Sequence, residues 1–217
     1  LLSMVTQCLL FFKYWLLWLL PNPAWMSVDM REPFATSLTE WRYVFAVLAF
    51  VLYAAGAVWL LLQRGKKGLL GFALLFPWLL FITEFTTVRI QESFVLYRSY
   101  LWMGGAIAVL PVLLLGNIPA RRAATYLLGV CLLLIPLTWN RLTTFSHPLL
   151  LWDDAASLIE DRPYLPGFER VYHNRSTALY EVGLKQQALD DCNRVIALNP
   201  EFGFIYSNRG AVYYDWG

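Results

Sequence analysis

Residues 172–200, YHNRSTALYEVGLKQQALDDCNRVIALNP, decide how the rest of this chain is read. Their landmarks return at one spacing: Tyr172 and Tyr206, Asn174 and Asn208, Arg175 and Arg209, and Gly183 and Gly217 are each 34 residues apart. A self-similarity of that period marks a supersecondary unit that stacks on its neighbours. The pattern predicts a first helix over 171–182, broken at Gly183, where the turn needs a residue free to adopt a left-handed backbone. A second helix is predicted over 185–198, with Ala188 at the helix crossing and Pro200 closing the unit. The second copy, FIYSNRGAVYYDWG at 204–217, covers a first helix only.

The 34-residue register, with its aromatic, Gly, Ala and Pro positions, resembles the tetratricopeptide repeat. That resemblance implies a helical solenoid. One such unit cannot bury its apolar face alone, so further repeats are expected beyond residue 217. Cys192 falls where a repeat packs a medium-sized side chain and reads as core.

Upstream of residue 146 the composition is different in kind. The 217 residues are 59% hydrophobic and 17% aromatic overall, with a mean hydropathy of +0.51, outside the ordinary range of water-soluble chains. A bilayer core of about 30 Å takes about 20 apolar residues per helix, and by that measure five spans are predicted, at 4–20, 41–62, 69–88, 100–116 and 124–142. The first is interrupted by Thr6, Gln7 and Lys13, which leaves open a tilted or interfacial placement. Trp15, Trp18, Trp25, Trp41, Tyr100, Trp102 and Trp139 gather near the span ends, as interfacial aromatic belts do. The fold class expected is all-α: a polytopic transmembrane helical domain over 1–145 followed by a linker helix and the start of a tetratricopeptide solenoid over 146–217. Leu1 already belongs to an apolar run and the last residues stop inside a repeat, so the sequence reads as the middle of a longer protein.

Charge is balanced, 17 Lys+Arg against 15 Asp+Glu, which gives no argument for a nucleic-acid partner. Its distribution says more. Arg64, Lys66 and Lys67 fill one short connection, and Arg121 and Arg122 another, with no acidic residue beside them. The positive-inside rule puts both connections on the cytoplasmic face. Residues 21–40, 89–99 and everything after Arg141 then share the opposite face. Cys8, Cys131 and Cys192 are too scattered for a disulfide framework or a metal-ligand spacing. His147 and His173 are isolated, so no metal site is predicted. Asp153 and Asp154 read as residues favouring a helix N-terminus rather than as catalytic acids.

Two loops on that shared face carry the candidate chemistry. Residues 89–103, RIQESFVLYRSYLWM, set Arg89, Glu92, Tyr97, Arg98 and Tyr100 between two apolar runs. Charges beside the hydrocarbon core are costly unless paired or facing a cavity, although arginines at helix ends can simply snorkel to the interface. Arginine suits phosphate, because its planar fork donates two hydrogen bonds at once and stays charged. Arg89 and Arg98 are therefore candidates for binding the phosphate of a lipid carrier, with Glu92 orienting an arginine or touching a sugar hydroxyl. Tyr97 and Tyr100 supply an amphipathic wall. In the alternative, Glu92 bridges to Arg89 or Arg98 purely to neutralise charge. The other loop, PNPAWMSVDMREPF at 21–34, holds Asp29, Arg31 and Glu32 in a stretch stiffened by Pro21, Pro23 and Pro33. It reads equally as a cover over a headgroup or acceptor and as a plain re-entrant connection.

The order of these features resembles the membrane-embedded protein O-mannosyltransferases with tetratricopeptide tails, and more closely their bacterial relatives, including enzymes that glycosylate type IV pilins. The features are an interrupted first helix, a loop carrying VDMREPF, a charged turn ending in LYRSYLW, a final hairpin and then the repeats. Their turn reads roughly Glu-His-Arg-x-Tyr-Leu-Pro. Arg98, Tyr100 and Leu101 match it, whereas Leu96, Tyr97 and Trp102 stand in place of the Glu, His and Pro. The resemblance implies a GT-C-type glycosyltransferase of the bacterial inner membrane with its repeats on the periplasmic side. Its donor would be a polyprenyl-phosphate-linked sugar, its acceptor an exported protein engaged by the repeats, and it would need no redox cofactor. The acidic residue that activates the acceptor in that family is expected in an earlier loop, so no catalytic base is assigned here. A non-enzymatic membrane anchor whose repeats dock partners, with its arginines on anionic lipid, is the rival reading.

Overall fold

The computed structural model describes residues 1–86, 94–162 and 164–216. It is all-helical, with 76% of residues in helix and no strand among the described residues. The helices are α1 (Leu2–Leu19), α2 (Trp41–Leu61), α3 (Lys66–Phe81), α4 (Ser99–Leu115), α5 (Ala120–Phe145), α6 (Pro148–Ser157), α7 (Phe168–Glu181), α8 (Lys185–Leu198) and α9 (Phe204–Tyr214). They fall into two compact units. One is drawn from Leu1–Pro21, Phe34–Val88 and Val95–Pro136, the other from Asn22–Pro33, Arg89–Phe94 and Leu137–Gly217.

The first unit contains the apolar helices α1 to α4 and α5 as far as Pro136. Five segments are long and apolar enough to cross a membrane: Leu2–Leu19, Trp41–Leu61, Lys66–Phe85, Leu96–Leu115 and Ala120–Phe145. The third and fourth include short 3-10 turns, Ile82–Thr86 after α3 and Leu96–Arg98 before α4. Pro77, Pro111 and Pro136 lie inside helices, a placement that membrane helices tolerate where neighbours and local adjustments satisfy the freed carbonyls.

Helix α1 is the centre of this unit rather than its margin. Phe11 is fully buried and meets Phe50, Tyr53 and Phe81, each with ring centroids 5.1 Å apart. Tyr14 packs edge-on to Trp102 at 4.7 Å. Edge-to-face contacts of this kind add specificity to simple area burial. Polar atoms then fix the register. The Tyr14 hydroxyl donates to the Val95 carbonyl at 3.0 Å, the Tyr53 hydroxyl to Leu74 at 3.0 Å, and the Trp78 indole to Phe50 at 3.2 Å. Thr6, one of the residues that interrupt the apolar run, accepts a hydrogen bond from the Ala35 amide at 2.9 Å. Helices α2 and α3 form a hairpin so close that a Cβ at Gly71 would strike the backbone of Leu60 and Leu61. Helix α5 stands apart in character, because none of its side chains is buried.

In the second unit the helices α6 to α9 are short and amphipathic. Ile159, Val171, Cys192, Val195 and Ile205 are fully buried together with Tyr172 and Phe168, and half-buried Val28, from the 22–33 loop, packs against them. A second cluster joins Leu179, Ala188, Leu189 and Val212. The α7–α8 turn closes at Gly183, whose φ of 83° is left-handed. There the Leu184 amide donates to Leu179 at 2.9 Å and the Gly183 amide to Tyr180 at 2.9 Å, which caps the last carbonyls of α7 as a Schellman turn does. Helix α7 begins three residues before its expected start, after a second left-handed glycine, Gly167. Helix α8 keeps the expected bounds.

Candidate functional site

In the first unit the candidate residues gather where α4 begins. Its three preceding residues form a 3-10 turn, so Arg98, Ser99 and Tyr100 are presented at a helix start between two apolar spans. Arg98 reaches Glu84, with Nη1 3.7 Å from Oε2, and both side chains are almost buried, at 11% and 12% exposed. The guanidinium also lies 5.9 Å from the Tyr97 ring centroid. Ser99 is fully buried and accepts a hydrogen bond from the Trp18 indole at 2.8 Å. Tyr100 packs edge-on to the same tryptophan at 5.8 Å. Tyr97 and Tyr100 themselves are exposed.

Glu92, expected to orient an arginine or to bridge to Arg89 or Arg98, lies outside the described residues, as does Arg89. Glu84 was missed. It had a signal, being the one acid in an otherwise apolar span at 69–88, and an ionisable group at such a place is a functional candidate by default. At 3.7 Å the contact is an ion pair rather than a tight fork.

Asp29 and Arg31 form a different site, wholly in the second unit. Both are buried, and Arg31 Nη2 donates to Asp29 Oδ2 at 2.6 Å. Arg31 Nη1 donates to the Pro166 carbonyl at 3.2 Å, while Arg170 approaches Asp29 Oδ2 at 3.6 Å. The loop is thus tied to the turn before α7. Glu32 is partly buried beside it. A groove of about 380 Å³ opens here, lined by Arg31, Glu169, Arg170, His173, Phe202 and Phe204 among others. Its walls offer cationic edges and aromatic faces together.

Other charges of this unit hold helices. Arg175 grips Asp191 with Nε and Nη2 at 2.8 and 2.7 Å and reaches Asp153 at 3.0 Å. Arg141 binds both oxygens of Asp154 at 3.1 Å and the Met26 carbonyl at 2.6 Å. Asp153 and Asp154 are therefore ion-pair partners. Burial pushes the Asp191 carboxyl above its ordinary value even with the Arg175 fork pulling the other way. The same pair, through its hydrogen bonds, raises the Arg175 guanidinium. Burial lowers the His173 imidazole, whose Nδ1 lies 3.1 Å from the Asn208 side-chain amide nitrogen. Burial also raises the Cys192 thiol, in keeping with a core residue. His147 caps α6 by accepting the Leu149 amide at 3.1 Å.

Among the described residues no group of three or more His, Cys, Asp or Glu could hold a metal ion. The chain matches no protein-family model, no curated protein and no solved structure.

Proposed function

We propose that this chain is part of a GT-C-type membrane glycosyltransferase that moves a sugar from a polyprenyl-phosphate carrier to a hydroxyl of an exported protein, such as a pilin. The observation that carries the reading is Arg98, held almost buried at the head of a membrane-length helix and set between Glu84 and Tyr97. In such a transfer the bond from the sugar's anomeric carbon to phosphate breaks, a bond to the acceptor oxygen forms and the acceptor's hydroxyl proton is released to water, so negative charge grows on the leaving phosphate. A fixed guanidinium in a partly dry site stabilises that charge without reorganising. Glu84 orients the arginine, and the tyrosines offer faces for the sugar ring and the interfacial lipid. Helices α7 to α9 are read as the opening of a tetratricopeptide solenoid. Their groove beside Arg170, His173, Phe202 and Phe204 would engage an extended acceptor segment.

One observation favours a second reading. The Arg98 charge is already balanced by Glu84, as it would be in a non-enzymatic membrane anchor whose helical repeats dock other proteins. Intact mass spectrometry of exported proteins separates the two. It compares cells lacking the gene with cells complemented by wild type or by Arg98→Ala at matched membrane levels. The transferase reading expects one protein to lose a sugar-sized increment in the deletion and to regain it only with wild type, because loss of one such donor typically costs about 100-fold or more in rate. Unchanged masses, with loss of a surface assembly in the deletion and its rescue by Arg98→Ala, would establish the anchor instead.

A further inference from the structure

We propose that the connections α2–α3 and α4–α5 together form a binding site for the phosphate headgroup of an anionic phospholipid. The two connections lie in one unit and are joined directly, since Lys66 Nζ donates to Asn117 Oδ1 at 2.5 Å. That contact sets Lys66, which Arg64 and Lys67 flank in sequence, against Asn117, four residues before Arg121. All five side chains are exposed. Among the described residues no carboxylate lies within ion-pair distance of any of them.

Such a cluster repels itself, and the backbone makes the repulsion worse. Helix α3 starts at Lys66 and α5 at Ala120, and neither has an acidic residue in its first turn. Cations there oppose the positive end of the helix dipole. An anion placed among them would relieve both effects. The positive-inside tendency accounts for cations in these connections, but it does not require that one of them be tied to the neighbouring connection through Asn117.

The place of the cluster selects the anion. It sits at the ends of apolar helices of membrane-spanning length, where phospholipid phosphates lie. Leu62, Leu69 and Leu114 are exposed nearby in sequence and offer an apolar seat to acyl chains. Clusters of Lys and Arg just outside a membrane-spanning helix attract anionic headgroups. The inference is independent of the glycosyl-transfer reading, since it uses none of the residues placed near Arg98.

The test is native mass spectrometry of the purified full chain in detergent, titrated separately with phosphatidylglycerol, with phosphatidylcholine, and with phosphatidylglycerol in the presence of millimolar inorganic phosphate. Phosphatidylglycerol adducts are expected at about tenfold lower lipid than phosphatidylcholine adducts. Lys66→Gln and Arg121→Gln should each weaken them about fivefold, while each leaves four of the five cations to hold the membrane topology. Arg42→Gln, which removes an exposed cation paired with Glu40, should leave them unchanged. Equal affinity for the two lipids overturns the proposal, as does indifference to Lys66→Gln and Arg121→Gln. An equal loss in Arg42→Gln reduces the effect to general surface charge, and displacement by inorganic phosphate makes the ligand a soluble anion. Either result also overturns the assignment to lipid.

Discussion

The two units bury charge in different ways. Among the apolar helices the ion pair of Arg98 with Glu84 is loose at 3.7 Å, and the helices are registered by aromatic edges and by hydroxyl or indole donors to backbone carbonyls. In the second unit Arg175 and Asp191 form a close fork at 2.7 and 2.8 Å around an apolar core. The contrast follows from solvent. Lipid tails are as apolar as leucine, so helices there associate through close packing and polar contacts rather than through a gain in burial. Short amphipathic helices need burial against one another to exist at all. A tight pair at their crossing then adds orientation, whereas the pair between the apolar spans is held at a longer distance.

The largest expected effect breaks the tight side of that contrast. Arg175→Ala strands Asp191, which is 4% exposed, and should cost about 3–5 kcal/mol of the stability of α7 and α8. Hydrogen exchange across those helices reads the loss directly. The apolar double replacement Arg175→Met with Asp191→Leu should recover most of it, and a double variant as unstable as the single one would show that the fork is irreplaceable.

A smaller effect sharpens the packing side. At Gly71 any Cβ collides with the backbone of Leu60 and Leu61, so Gly71→Val should destabilise the α2–α3 hairpin by about 1–3 kcal/mol. The check is thermal unfolding in detergent, with Gly56→Val as the control, since a Cβ there meets open space. Equal loss in both would mean that the hairpin responds to helix propensity rather than to close approach.

The smallest effect is one of pH. Burial depresses the His173 imidazole below its ordinary 6.5, so the unfolded chain takes up the proton first. The contribution of His173 is therefore complete above about pH 6.5 and is lost as pH falls through that value toward the depressed folded one. The α7–α9 contact, where Asn208 meets His173, should loosen between pH 7 and 5 in hydrogen exchange. His173→Gln should flatten that dependence, and an unchanged slope would assign it to another group.

Much of the architecture is legible in the sequence. Long apolar runs locate the membrane-length helices, and Gly183 marks the α7–α8 turn because a left-handed turn favours the residue with no Cβ. Boundaries were less legible: α5 runs from Ala120 to Phe145, beyond the expected 124–142, since its polar flanks remain helical. The partners of charges were not legible. Glu84 is 14 residues from Arg98, and Arg31 meets Pro166 across 135 residues of sequence. Likewise the polar interruptions of the first span, Thr6 above all, read as weakness in the sequence and serve as contacts in the fold.

The sequence by itself determined the helices, their lengths, and the places where polar residues interrupt or end them, because helix formation and apolar span length are local properties of the chain. Only the tertiary structure decided that Arg98 answers to Glu84, that Asp29 and Arg31 close on the turn before α7, and that Lys66 is tied to Asn117. Such pairings depend on which helix faces lie against each other. Helix packing sets those faces, and a linear pattern of charges is compatible with many arrangements of them.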